Sequence, residues 1–271
     1  MSRWMNAFAF VGVVAAAFAM TGCGGGGAGG IEIKGAGASF PAPLYQRWFA
    51  EYSKATDGVK IEYASVGSGT GVKQFTEELV DFGASDAAMS DDEIAKVKRG
   101  VQLIPMTAGA IVFCYNVNDA DGNPIEDLKL SRDAYIGILM GNVTNWNDPL
   151  IADANPGVSM PDQPISVVYR SDGSGTTFVF TKHLCAVSQE WDEGPGMGKE
   201  VQWPVGSGAP KNDGIAGSVA GNTGSIGYVE YGYAAKNNIA MATLENASGE
   251  FVKPSPETAQ KALGAIQEIP E

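Results

Sequence analysis

Histidine is almost missing: His183 is the single one among 271 residues. A nucleophile–histidine pair needs an imidazole beside the attacking group, and most zinc sites need several His or Cys together, so both chemistries are poorly supplied. Cysteine is nearly as scarce, with Cys23, Cys114 and Cys185 at no metal-ligand spacing. No catalytic residue, metal site or cofactor is expected. Positive charge is the third shortage: 18 Lys and Arg stand against 31 Asp and Glu, for a formal net charge of −13. With no basic stripe, nucleic acid is excluded as a partner. A chain this acidic holds an anion only through local dipoles and one specific cation.

What is plentiful is glycine, 36 residues clustered in short loops without a period. That pattern suits tight turns and close backbone approaches rather than a repeat architecture. At 44% hydrophobic the chain can bury a sizeable core, in one large domain or two lobes. The apolar run Met5 to Met20 follows Arg3 and stops abruptly at Met20-Thr-Gly-Cys23, too short to span a bilayer comfortably. Residues 1–22 read as a signal peptide and 23–30 as a Gly-rich tether. Small residues before Cys23 resemble a bacterial lipoprotein signal whose cysteine is acylated, with Met20 in place of the usual Leu. An ordinary cleaved signal is the alternative. Export permits disulfides, yet Cys114 lies in a strand-like run and Cys185 in a helical one, so two buried free thiols are expected.

The body alternates strand, Gly/Ser turn and helix, which is α/β grammar with a largely parallel sheet. Strands are expected at Ile31–Lys34, Lys60–Tyr63 and Asp81–Asp86, with helices over Pro41–Thr56, where Leu44, Tyr45, Trp48 and Tyr52 recur at helical spacing, and over Val72–Val80. Ser90-Asp-Asp-Glu93 is a capping-box signature. Apolar extended runs at Val101–Pro105 and Gly109–Val117 mark a crossing, placing lobe 1 at 31–105 and lobe 2 at 106–271. In the second lobe Ser131 caps a helix over 132–140, a strand covers 164–169, and a helix covers about 174–187. Then come an extended Val201-Gln-Trp203, a helix over 213–220, a strand from Ser225, a helix over 230–236 and a last helix opened by Ser255-Pro256.

Four loops carry candidate chemistry: Gly37-Ala-Ser39-Phe40, Gly67-Ser68-Gly-Thr-Gly71, Ala84-Ser-Asp86 and Arg170-Ser-Asp172-Gly-Ser174-Gly175-Thr176. Three enter helices, whose first turns present unpaired N–H groups and partial positive charge. Glycine admits an anion to the backbone, Ser and Thr add hydroxyl donors, and Arg170 adds a forked donor. Each loop alone is equally well a helix cap, Arg170 with Asp172 a structural ion pair, and Asp86 a turn residue. Enzyme motifs fail: Walker spacing is absent, Gly173-Ser174-Gly175 lacks the nucleophile-elbow pattern, and Gly35-x-Gly37-x-x-Phe40 misses a third glycine. His183 lies nine residues beyond Ser174, ~13 Å along a helix and out of hydrogen-bond reach.

Together, Gly35–Tyr45, Val72-Lys-Gln74, Val80–Asp86, Arg170–Phe180, Asn212–Ala216 and Gly224–Tyr231 resemble the phosphate-binding lipoproteins of bacterial high-affinity phosphate ABC importers. The resemblance covers about Ile31 to Asn246 and implies a two-lobed periplasmic-binding-protein fold, class II type, closing over one dehydrated phosphate. It implies ligand contacts at Ser39, the Phe40 amide, Ser68 and Asp86 from one lobe, and Arg170, Ser174, Gly175 and Thr176 from the other, with Asp172 tethering Arg170. At Ser39 the family often has Thr. It also implies delivery to an ABC permease in the inner membrane by a monomer, held in the periplasm or on the outer face of the cytoplasmic membrane by lipid at Cys23. A secreted phosphomonoesterase and a receptor for another tetrahedral oxyanion are the alternatives. Family members continue well past the position of Glu271 and return to the first lobe, so the expectation is a fragment or a first lobe without that return segment.

Overall fold

The computed structural model describes residues 30–265. The expected signal peptide, Cys23 and all of the tether except Gly30 lie outside them. Alternating Ile31-Glu-Ile-Lys-Gly-Ala-Gly forms β1 (Ile31–Gly37), followed by α1 (Ala42–Ala55), β2 (Val59–Ser65), α2 (Ser68–Thr76), β3 (Phe82–Ala84) and the short α3 (Asp91–Ile94). The strands make a parallel sheet in the order β2-β1-β3, with Gly37 paired to both Ser65 and Ala84, so all three carboxyl ends finish level. Tyr45 and Phe49 of α1 pack on Tyr63 and Phe82 of this sheet, with ring centroids 5.3 Å (Tyr45–Tyr63) and 5.7 Å (Phe49–Phe82) apart. The expected helix forms, and of the four residues at helical spacing only Tyr45 is buried, while Leu44, Trp48 and Tyr52 are exposed. They fall one position behind the Tyr45–Phe49 line, and only that line meets the sheet.

The remainder runs β4 (Ile111–Asn116), β5 (Lys129–Leu130), α4 (Arg132–Met140), α5 (Pro149–Ala152), β6 (Ser166–Arg170), α6 (Gly175–Val187), α7 (Gln189–Glu193), β7 (Ser207–Ala209), α8 (Lys211–Gly221), β8 (Ser225–Glu230), α9 (Tyr231–Lys236), β9 (Ala240–Met241), β10 (Thr243–Glu245), β11 (Phe251–Val252) and α10 (Pro256–Gly264). Five strands form a sheet ordered β7-β6-β8-β4-β9, and β11-β10-β5 form a small one. Period-two alternation divides the main core. Phe113, Tyr115, Val167, Ile226 and Tyr228 face a cluster with Tyr135, Trp146, Phe180 and Trp191, while Val112, Cys114, Val168 and Val229 face Ile215, Val219 and Tyr233. Among the described residues no helix is long and apolar enough to cross a membrane.

The α/β class holds. Several details differ from expectation. The five-stranded sheet is mixed, because β4 runs antiparallel to β8 and β9. Val101–Pro105 joins no strand, and Leu103 and Ile104 are exposed. Val201–Trp203 also joins none: Pro204 cannot donate to a ladder, and Trp203 stacks on Tyr169 and Tyr228 instead. Helix α2 begins at Ser68 rather than Val72, since Gly67 at φ +91° turns the chain sharply after β2. Its small first turn packs against the backbone at Gly37, contact that outweighs the poor helix propensity of glycine. Cys114 is buried and Cys185 half-buried, both as free thiols.

Candidate functional site

The level carboxyl ends of β1, β2 and β3 send three loops to one edge. Ser39 and Ser68 there are each 1% exposed, and Phe40 is half-buried. Ser68 opens α2, its Oγ accepting a long bond from the Asp86 amide at 3.4 Å. Ala38 N donates to Ala84 O at 2.8 Å, which holds the loop bearing Ser39 beside the turn bearing Asp86.

From the five-stranded sheet comes Arg170, the last residue of β6, only 4% exposed. Its Nε and Nη2 donate to Asp172 Oδ1 and Oδ2 at 2.7 and 2.6 Å, the bidentate fork that gives a guanidinium one orientation. Tyr228 braces the arginine from the core: its hydroxyl accepts from Arg170 N at 3.1 Å and pairs with Thr177 Oγ1 at 2.6 Å. Ser174 caps α6, its Oγ accepting from Thr177 N at 3.0 Å. Cap and anion donor are therefore compatible roles, since the bond uses a lone pair and leaves the hydroxyl proton free. The amides of Gly175 and Thr176 lie in the first turn, where no intrahelical partner exists.

The two edges meet. Thr176 Oγ1 donates to Asp86 Oδ2 at 2.9 Å, Gly69 N to Gly173 O at 2.8 Å, and Lys199 Nζ to Glu93 Oε1 at 2.8 Å. A Cβ on Gly175 would stand 2.6 Å from Ser68 Oγ and 2.8 Å from Asp86 N. Gly175→Ala is thus expected to hold the edges apart and weaken anion binding by about tenfold or more, with helix α6 intact by circular dichroism. An unchanged dissociation constant would show that this close approach is not needed.

Burial pushes the Asp86 carboxyl above its ordinary range, although the Thr176 hydroxyl and the Arg170 charge pull it back and Asp172 adds to the rise. Burial also opposes ionised Asp172, but there the Arg170 fork and charge, with the Lys211 amide, prevail and hold it below the usual range. The signs follow by linkage. The stability that Asp86 contributes is present at low pH and is lost as pH rises through its raised folded value. That of Asp172 is present above the unfolded carboxylate value and is lost as pH falls through its depressed one. Two buried atoms here have no hydrogen-bond partner among the described residues: Asp86 Oδ1, an acceptor, and Arg170 Nη1, a donor.

All nine residues singled out between Ser39 and Thr176 sit in these loops, on the two sides of this junction. Sequence reasoning assigned no role to Asn212, Tyr228, Tyr233 or Lys199, whose bonds to the site join segments distant in sequence. Glu230, at the end of β8, also lies nearby; burial raises its carboxyl, with Asp86 adding to the rise. His183 is exposed, with Nε2 3.2 Å from the Tyr135 hydroxyl, near the far end of α6 from Ser174.

The sequence profile of the PBP superfamily domain matches residues 24–269. The phosphate-binding protein PstS of Pasteurella multocida (strain Pm70) is 44% identical over 235 residues, covering 87% of this chain and 67% of the relative. The chain belongs to the PstS family. Another family member, the phosphate-binding protein PstS of Xylella fastidiosa (strain Temecula1 / ATCC 700964), is 42% identical over 228 residues, covering 84% of this chain and 61% of the relative. The chain therefore spans about 61 to 67% of these PstS relatives' length. In fold it is similar to a human phosphate binding apolipoprotein, with a TM-score of 0.65 and 21% identity over 86% of this chain and 69% of that one.

Proposed function

We propose that this protein captures inorganic phosphate between the loop edges of its two larger sheets and delivers it, without a catalytic step, to an ABC-type import permease. One observation carries the reading: a buried unpartnered acceptor, Asp86 Oδ1, and a buried unpartnered donor, Arg170 Nη1, occur in one site. Leaving such groups unpaired is costly. Phosphate at neutral pH answers both, because it keeps at least one proton to donate and carries unprotonated oxygens that accept. Sulfate carries no proton and would meet Asp86 with like charge. Ser39, the Phe40 amide, Ser68, Ser174, Gly175 and Thr176 serve as the further contacts, and Asp172 holds Arg170 for the ligand.

The names of the PstS relatives point to the same ligand. In this reading residues 31–105 and 106–271 act as two lobes, the chain works as a monomer in the periplasm, and Cys23 carries the lipid that anchors it. Equilibrium dialysis of the purified chain against labelled phosphate tests the proposal. One saturable site is expected; phosphate distributing equally on both sides of the membrane would refute it.

A further inference from the structure

Ser39 is held by hydrogen bonds that its role as a simple donor does not require. Its Oγ accepts from the Asn212 backbone amide at 3.2 Å and from Asn212 Nδ2 at 2.9 Å. A serine hydroxyl has two lone pairs and one proton, so both accepting positions are filled and only the proton remains to give. The Asn212 amide is fixed the same way round by its other end, where Oδ1 accepts from Glu230 N at 3.1 Å. Both residues are buried, at 0% and 1% exposure, which removes water as a competitor.

The turn presenting Asn212 is itself constrained. Lys211 sits at φ +60°, a left-handed conformation unfavourable for a lysine. Its amide donates to Asp172 Oδ1 at 2.8 Å, the oxygen that also takes Arg170 Nε. One carboxylate oxygen therefore orients both the arginine and the start of α8. The Tyr233 hydroxyl adds a bond of 2.6 Å to the Ser39 carbonyl.

We propose that Asn212 is a positioning residue that makes Ser39 a donor-only group and so sets where the anion's proton goes. A hydroxyl with no free lone pair cannot receive a P–OH. The phosphate proton must then point to another acceptor, and the one on the same loop edge is Asp86, whose Oδ1 has no partner among the described residues. The proposal rests on the phosphate reading above.

Phosphate titration of a double-mutant cycle tests it. Asn212→Ser is too short to reach Ser39 and frees one lone pair, and is expected to weaken phosphate binding by about tenfold. Ser39→Ala should lose at least as much, and the double variant no more than Ser39→Ala alone. Additive losses, or undiminished binding in Asn212→Ser, overturn the positioning role while leaving phosphate binding in place. Wild-type protein that binds no phosphate overturns both. Should Asn212→Ser fail to fold, the isosteric Asn212→Asp keeps the test. Its loss should shrink, relative to wild type at each pH, as acid protonates the new carboxyl and restores a donor to Ser39; a pH-independent loss contradicts the proposal.

Discussion

Asp86→Asn is expected to erase most of the preference for phosphate over sulfate. An ionised carboxylate only accepts hydrogen bonds, whereas an asparagine also donates and carries no charge. Phosphate loses a charge-assisted bond worth ~1.5–3 kcal/mol, and sulfate is relieved of a like-charge contact of similar size. At ~1.4 kcal/mol per factor of ten, the affinity ratio should fall by about two orders of magnitude or more. The direction of the Asp86 shift adds a pH signature. Burial raises this carboxyl, so it takes up a proton at a higher pH than an ordinary aspartate does. Sulfate should therefore compete progressively better as pH falls through that raised range in the wild type, and with little pH dependence in the variant. Competition calorimetry at several pH values measures both effects, and an unchanged ratio in Asp86→Asn would remove Asp86 as the selecting group.

The deepest loss of affinity is expected from Arg170→Met. Arg170 is 4% exposed, sits in a two-pronged contact with Asp172, and has Nη1 unpartnered among the described residues. Removing it takes away the site's arginine charge and leaves Asp172 a half-buried carboxylate without its counter-charge. The bound anion also loses its charge-assisted partner, and truncating one member of such a pair across a binding interface costs ~2–5 kcal/mol, so phosphate binding should weaken by about thirtyfold to several-thousand-fold. Arg170→Lys should recover only part of this, because an ammonium cannot hold both Asp172 oxygens and keep a third nitrogen for the ligand. The stability of Arg170→Met should also fall more steeply than that of the wild type from mildly acidic to neutral pH, since the depressed Asp172 value depends on Arg170. Parallel denaturant titrations at the two pH values would expose an error here as equal losses.

Features written in adjacent residues were legible from sequence. Ser131 accepts from Ala134 N, Ser90 and Glu93 complete a capping box, and Ser255 with Pro256 opens α10, because each cap is a bond over three or four positions. The loops at the strand ends were equally readable, since Gly, Ser and Asp after an apolar run mark a turn wherever the sheet lies. Long-range bonds were not legible. Ser39 and Asn212 are 173 positions apart, and nothing local marks a helical asparagine as the partner of a distant serine. Helix α2 starts early because Gly69 and Gly71 allow close packing, so tertiary contact overrode local propensity there. The spacing of Leu44, Tyr45, Trp48 and Tyr52 marked the helix correctly but left its buried face open, because helical periodicity reports an apolar stripe and not what covers it.

The most direct test is calorimetric titration of the wild-type chain with phosphate at neutral pH, first alone and then in a large excess of sulfate. The account predicts one binding site whose affinity for phosphate is nearly the same in both titrations, because sulfate has no proton for Asp86. A phosphate isotherm abolished by sulfate would contradict it.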